Sequence, residues 1–391
     1  MKKTLILAAV AAIALSACSK NDIIETINKV PENQMVGFSS YTPKAITKAD
    51  ANYYVDGTTA TNLVSGKTFG VYSWAITNTS TTPWSDGKLF DGTGTPNFMS
   101  NIPVTFKGDA AGVDSDGSAN VSAPGYYSAG NPVRYWPAGD TPDGLSFYAY
   151  YPAGAAGLSL PTNGLGATTF VVQNTPAAQI DFMVSDVVAD QYYGHTNSAY
   201  SSGTRGTVDL LFHHTLTKVQ FKFKTDLTDA NTTVMLTKAQ LTGVYNTNTL
   251  TTGYTKGATA NAGTTAYDWG TASNAVGYDI TVNGSTPASS NVTLTTDATA
   301  LTAADAFLMV PQTIAAGQQR ITLTWTVTTA GYTTTNTKVI DLNDITNSGA
   351  HIDWAKNAQV TYTITIGPKP IYFTATVDGW AAETNGTISV N

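Results

Sequence analysis

Apolar and polar residues alternate with a period of two over several stretches of the chain. The clearest runs from Lys218 to Lys224, where Val219, Phe221 and Phe223 alternate with Lys218, Gln220, Lys222 and Lys224. Such a pattern predicts a strand with one buried and one solvated face. Ile321, Leu323, Trp325 and Val327 alternate with threonines and predict a second strand. Val360, Tyr362, Ile364 and Ile366 give a third. Ile371, Phe373, Ala375 and Val377 give a fourth, after the break Gly367-Pro368-Lys369-Pro370.

Towards the N-terminus the signals are shorter. Val36 to Tyr41 reads as a first strand, and the region from Asn62 to Trp74 as another, with Phe69, Val71 and Ser73 on one face. Arg134-Tyr135-Trp136-Pro137 and Leu145 to Pro152 read as aromatic strands closed by proline, which cannot donate to a ladder. Ile180 to Val184 reads as a candidate for a short buried strand. The stretch from Thr77 to Asn131 is rich in Gly, Asp, Pro and Ser, which predicts long loops with short strands such as Val104-Thr105-Phe106. No amphipathic helix of ordinary length is visible in the mature chain. Many short strands separated by turn residues predict an all-β fold of β-sandwiches.

Composition supports this reading. Charged residues make up 12% of the 391, about half the usual share, and Thr, Ser, Asn and Gly take their place. The net charge of −7 argues against nucleic acid as a partner. At ~100–200 residues per domain the length predicts two domains. We place them at 36–225 and 226–391, with the boundary in the polar turn after the strongest strand.

The N-terminus carries a separate signal. Lys2-Lys3 precede an apolar stretch from Leu5 to Leu15, and Leu15-Ser16-Ala17 precede Cys18, the single cysteine. This is the pattern of a bacterial lipoprotein signal peptide over 1–17. The Cys18 thiol would take a diacylglyceryl group, and residues 18–35 would form a polar, lipid-anchored tether. Two or more acyl chains anchor stably, so no membrane-spanning helix is expected. Membrane contact is thus expected through the lipid on Cys18.

Candidate chemistry is sparse. His213 and His214 are neighbours on a predicted strand and point to opposite faces, so they cannot chelate one metal together. His195 and His351 stand apart from them. Asp114-Ser115-Asp116-Gly117 opens like a calcium loop but lacks the acidic residue that closes one. No nucleophile elbow or phosphate loop occurs. Neither catalytic residues, nor metal ligands, nor a cofactor are assigned, and an enzyme is not expected. Tyr148, Tyr150 and Tyr151 could stack on sugar rings, although strand-end packing explains them as well.

Several segments together resemble the fimbrillins of Bacteroidales, the subunits of type V pili. They are Lys67-Thr68-Phe69-Gly70-Val71-Tyr72, Tyr135-Trp136-Pro137, Leu145 to Pro152, Asp181-Phe182-Met183 and Val208 to Val219. Phe307-Leu308-Met309-Val310-Pro311-Gln312 and Phe373 to Trp380 continue the series. The resemblance implies two transthyretin-like β-sandwich domains in tandem and export as an outer-membrane lipoprotein. It also implies that a protease removes an N-terminal segment with the first strand. The groove left behind would accept the C-terminal segment of the next subunit. The family's processing follows a basic residue, so Lys44 and Lys48 are the candidate cleavage positions here. Arg134, Arg205 and Arg320 lie deep in the predicted domains. Ile371, Phe373, Ala375 and Val377 have the alternation a donor strand needs, within 371–390.

The function expected is therefore a structural pilus subunit serving cell adhesion, at the cell surface and in the fimbrium after processing. Its partners would be neighbouring pilus subunits and a host or bacterial surface receptor. A pilus anchor or tip adhesin is the first alternative. A non-polymerising, glycan-binding surface lipoprotein is the second, and it requires Trp136, Tyr148 and Tyr150 to be exposed.

Overall fold

The structure is a computed structural model. It describes residues 36–43, 53–55, 60–63, 67–76, 89–106, 126–127, 134–137, 144–191, 207–258, 262–302, 305–347, 350–367 and 372–379. Cys18, Lys44, Lys48, His195, the 114–117 turn and Ile371 lie outside these residues.

The described residues form strands and short 3-10 turns. The first twelve strands are β1 (Gly37–Pro43), β2 (Tyr53–Val55), β3 (Ala60–Leu63), β4 (Thr68–Ile76), β5 (Met99–Phe106), β6 (Tyr126–Tyr127), β7 (Gly144–Tyr151), β8 (Leu158–Ser159), β9 (Gly166–Val171), β10 (Met183–Ser185), β11 (Val188–Gln191) and β12 (Thr207–His214). All but β8 and β9 belong to one sheet, ordered β2-β3-β1-β12-β10-β7-β4-β5-β6, with β11 beside β7.

The remaining strands are β13 (Thr217–Thr225), β14 (Thr232–Thr255), β15 (Thr264–Trp269), β16 (Ser273–Asp279), β17 (Val292–Leu294), β18 (Ala306–Met309), β19 (Arg320–Thr329), β20 (Tyr332–Asp341), β21 (Thr346–Asn347), β22 (Ala350–His351), β23 (Ala358–Ile366) and β24 (Tyr372–Gly379). A second sheet runs β18-β13-β23-β24, and a third runs β20-β19-β14-β9-β8. In the third sheet β15, β16 and β17 also pair with β14. No helix among the described residues is long and apolar enough to cross a membrane.

The first sheet folds over on itself. Three strand steps separate β1 from β7, about 14 Å in a flat sheet. Yet the rings of Phe38 on β1 and Phe147 on β7 lie 5.6 Å apart, and Phe38 and Phe69 on β4 lie 6.1 Å apart. The enclosed core contains Phe38, Phe69, Val71, Trp136, Leu145, Phe147 and Phe212. The opposite face of β4 and β7 carries Tyr72, Trp74, Tyr148 and Tyr150 into a larger core shared with Phe170 of β9 and Leu250 of β14. All eight residues of β7 are therefore buried. That is why its sequence is a continuous apolar run rather than an alternation.

The predicted strands around Val219, Ile321 and Val360 are present as β13, β19 and β23. Val219, Phe221 and Phe223 are fully buried, and Phe221 stacks on Tyr362 at 5.3 Å. The polar face of β13 differs from the expectation at one end. Lys218 and Gln220 are also buried, while Lys222 and Lys224 are half-buried. Arg134–Pro137 is not a strand. Its Tyr135 makes a single bridge, and Trp136 is buried as a plug of the first core.

β11 carries a bulge between Val188 and Gln191. There Asp190 has φ +57°, which Asp tolerates better than most side chains. Its Oδ1 accepts the Phe90 N–H at 2.8 Å, and it is buried. Burial pushes its carboxyl up to about 6, against the smaller opposing effects of the Phe90 hydrogen bond and Lys256. A carboxyl raised on folding holds its proton more tightly in the folded state. Its contribution to stability therefore falls as pH rises from about 4 to 6 and stays unfavourable above. Asn keeps the acceptor and tolerates the same φ. Asp190→Asn is expected to stabilise the chain by about 1–3 kcal/mol at pH 8 and by nothing at pH 4, read from urea midpoints. Equal shifts at both pH values would contradict this.

Candidate functional site

β1 is held differently from the strands around it. Over Gly37–Tyr41 it pairs in parallel with Thr207–Leu211 of β12. Among the described residues its other edge meets β3 only at Thr42 and Pro43. The antiparallel β10 and β7 continue the sheet beyond β12. A parallel strand cannot arrive by a hairpin, so the chain must travel from Pro43 to Thr207 before the partner strand forms. β1 is thus local in space but remote in sequence from the strand that holds it.

Side chains reinforce that hold at two points. Phe38 is 2% exposed, and its ring meets those of Phe69 and Phe147 edge-on, at 87° and 82°. Behind them Phe69 meets Phe212 at 5.6 Å, and Trp136 meets Phe147 at 6.0 Å. Val36 is also buried, and its N–H donates to the Arg134 carbonyl at 2.9 Å. Removing β1 would leave a groove floored by Phe69, Phe147 and Phe212, with the backbone edge of Thr207–Leu211 along one side. Such a groove takes any strand that offers backbone hydrogen bonds and one large apolar side chain.

β24 is the outermost strand of the second sheet. Its eight residues pair antiparallel with β23, from Thr365↔Tyr372 to Ala358↔Gly379. Phe373, Ala375 and Val377 stand opposite Ile364, Tyr362 and Val360. Ala375 is 1% exposed and belongs to the large core. Within one chain, β24 therefore completes its own sheet.

The structure places the other candidates as follows. His213 Nε2 lies 3.0 Å from Asp186, and His214 Nδ1 lies 2.8 Å from Asp181, the latter pair fully buried. His351 lies 3.3 Å from Asp353. The adjacent histidines have separate acidic partners on opposite faces of β12 and share no site. Among the described residues no group of three or more His, Cys, Asp or Glu is placed to hold a metal. Trp136, Tyr148 and Tyr150 are 2%, 2% and 1% exposed. Burial raises both tyrosine hydroxyls above their usual range, and Tyr150 donates to Asn101 Oδ1 at 2.6 Å. The exposed aromatic row that glycan stacking requires is absent at these positions.

Comparison with known proteins agrees with the fold. A family model described as fimbrillin-like matches residues 57–380. No curated protein matches the chain. A fimbrial protein from Bacteroides vulgatus superposes with a TM-score of 0.52 at 21% identity, over 88% of this chain and 99% of the other. Candidate cell adhesion proteins from Bacteroides uniformis (TM-score 0.42, 19% identity, 90% and 100% covered) and Bacteroides ovatus (0.41, 12%, 90% and 99%) are more distant.

Proposed function

This chain belongs to the fimbrillin-like family, and we propose that it is a structural subunit of a type V pilus that polymerises by strand exchange and serves adhesion. The observation that carries this reading is β1: a strand paired along one edge and plugged by one aromatic ring into an otherwise complete core. Cleavage after Lys44 or Lys48 would free it, since Lys44 follows Pro43 directly and Lys48 lies four residues further on. The family match begins at residue 57, beyond both lysines.

In this reading the chain is exported as an outer-membrane lipoprotein through Cys18, and its lipid is discarded with β1. The chain would form two transthyretin-like units in tandem, 36–225 and 226–391, the first of them losing β1 on processing. The segment 371–390 is the donor, with Ile371, Phe373, Ala375 and Val377 as its alternating apolar side. Because β24 is an edge strand, releasing it breaks one ladder and leaves β13 and β23 paired. A head-to-tail contact of this kind does not close, so it builds a filament.

The N-terminal residue of the protein recovered from cells tests the processing step. A start at Ala45 or Ala49 is the expected result. A start at Cys18 throughout would make the chain a lipid-held anchor instead.

A further inference from the structure

β20 is the outermost strand of the third sheet. It pairs with β19 without a register break, from Thr329↔Tyr332 to Arg320↔Asp341. The turn is Ala330-Gly331, with φ 51° and 87°, which fits a two-residue hairpin. An edge strand normally buries one face. Here every side chain from Tyr332 to Val339 is exposed except the half-buried Asn336, and only Ile340 reaches the core. Tyr332 is 83% exposed and Val339 52%. The edge has no proline and no bulge, and its only charges are Lys338 and, at the end of the strand, Asp341. Proline, bulges and clustered charge are the devices that normally keep an edge from pairing.

The direction of the free backbone groups follows from the hairpin. The pair flanking a two-residue turn is hydrogen-bonded, and bonded pairs recur at every second residue. Tyr332, Thr334, Asn336 and Lys338 therefore bond to β19. The backbone groups of Thr333, Thr335, Thr337 and Val339 point away from the sheet.

We propose that this edge pairs with β20 of a second copy of the chain, antiparallel, with Thr335 on the two-fold axis. In this register Thr333 bonds opposite Thr337 and Thr335 opposite its own counterpart, so these three outward positions meet outward positions, while Val339 falls opposite the Gly331 turn. On the other face Tyr332 falls opposite Lys338, at non-bonded pairs where side chains approach most closely. The ammonium meets an aromatic ring twice, which is electrostatically complementary. The two lysines stand six residues apart along the ribbon, about 20 Å, beyond the ~8 Å screening length. A two-residue shift would bring them to about 14 Å and lose both ring pairs.

The threonine ladder of the sheet would also continue. Thr232 meets Thr329 at 2.9 Å, Thr328 meets Thr333 at 2.8 Å, and Thr324 meets Thr337 at 3.2 Å. The dimer adds threonine to threonine as the next rung. One pair of short strands buries less than the roughly 1,200 Å² of a standard interface, so the dimer is weak and reversible. Repeated along a filament, the same contact would bundle filaments side by side. That last step alone rests on the pilus reading.

Sedimentation velocity of the full chain in detergent micelles, over a series of concentrations, tests the proposal. A dimer fraction that grows with concentration is expected. Thr335→Lys sets two lysines directly opposite each other on the axis, their Cα atoms about 5.5 Å apart, and is expected to leave monomer only. Thr335→Pro removes an N–H that the monomer does not use and is expected to do the same. Thr326→Lys, on β19 beside the edge, is expected to dimerise as the parent does. Far-UV circular dichroism verifies that each variant is folded. A parent chain that stays monomeric up to its solubility limit, or a dimer that survives both Thr335 variants, overturns the proposal and leaves the edge to another partner. Neither readout depends on cleavage or on strand exchange.

Discussion

Phe38→Ala is expected to destabilise the first folding unit by about 3–5 kcal/mol, the cost of deleting a buried aromatic ring that its surroundings cannot refill. The ring sits edge-on between Phe69 and Phe147, so its loss removes two aromatic contacts of ~0.5–1.5 kcal/mol each as well as buried area. Collapse around the cavity is limited, because Phe69 and Phe147 belong to β4 and β7, which are locked into the centre of the sheet. Urea unfolding followed by tryptophan fluorescence, with Trp136 as the local reporter, reads the effect. Tyr135→Ala, at a residue 43% exposed, is the matched control and is expected to move the midpoint by less than ~0.5 kcal/mol. If both variants shift the midpoint equally little, Phe38 is not the plug that holds β1.

Ala375→Asp is expected to cost about 3–5 kcal/mol, because it places a carboxylate without a partner at a position 1% exposed and opposite Tyr362. The cost is avoided if β24 leaves the sheet. Hydrogen exchange separates the two outcomes. Amides of β23 that bond to β24 are expected to lose protection, while those that bond to β13 keep theirs across the nine paired positions. Global loss of protection would mean that β24 cannot be released without unfolding the domain. The segment beyond Gly379 would then have to act as donor alone.

These two strands were legible in the sequence to different degrees. β13, β19, β23 and β24 each have one face on the core, so their alternation is visible residue by residue. β7 is buried on both faces and was still recognisable as an aromatic run ending at Pro152. The central strand β14 was not. Its 24 residues contain register shifts at Leu236/Lys238 and Thr242/Val244, each of which changes the phase of the alternation. Gly243 takes φ +72° at the second shift, where a side chain would collide with the Gln318 carbonyl. Beyond it, the buried positions are Val244, Asn246, Asn248, Leu250 and Thr252, three of the five polar. Asn248 is satisfied by the Gly270 and Pro311 carbonyls and Asn246 by neighbouring polar groups. Polar residues facing inward carry no hydrophobic signal.

The site was half legible for a related reason. The first strand and the last strand could be read as strands, and the family resemblance assigned them roles. The fold-over that brings Phe38 against Phe69 and Phe147 depends on a parallel pairing across about 170 residues. No local pattern encodes such a contact. The aromatic cluster around Tyr148 was equally ambiguous, since stacking on a sugar and packing in a core call for the same residues.

Limited trypsin treatment of the purified full chain, followed by gel electrophoresis without boiling, tests the central claim most directly. If cleavage at Lys44 or Lys48 releases β1 and opens the groove to a donor strand, a ladder of detergent-resistant oligomers forms and collapses to one band on boiling. Cleavage at those lysines that yields monomers alone would contradict polymerisation by strand exchange.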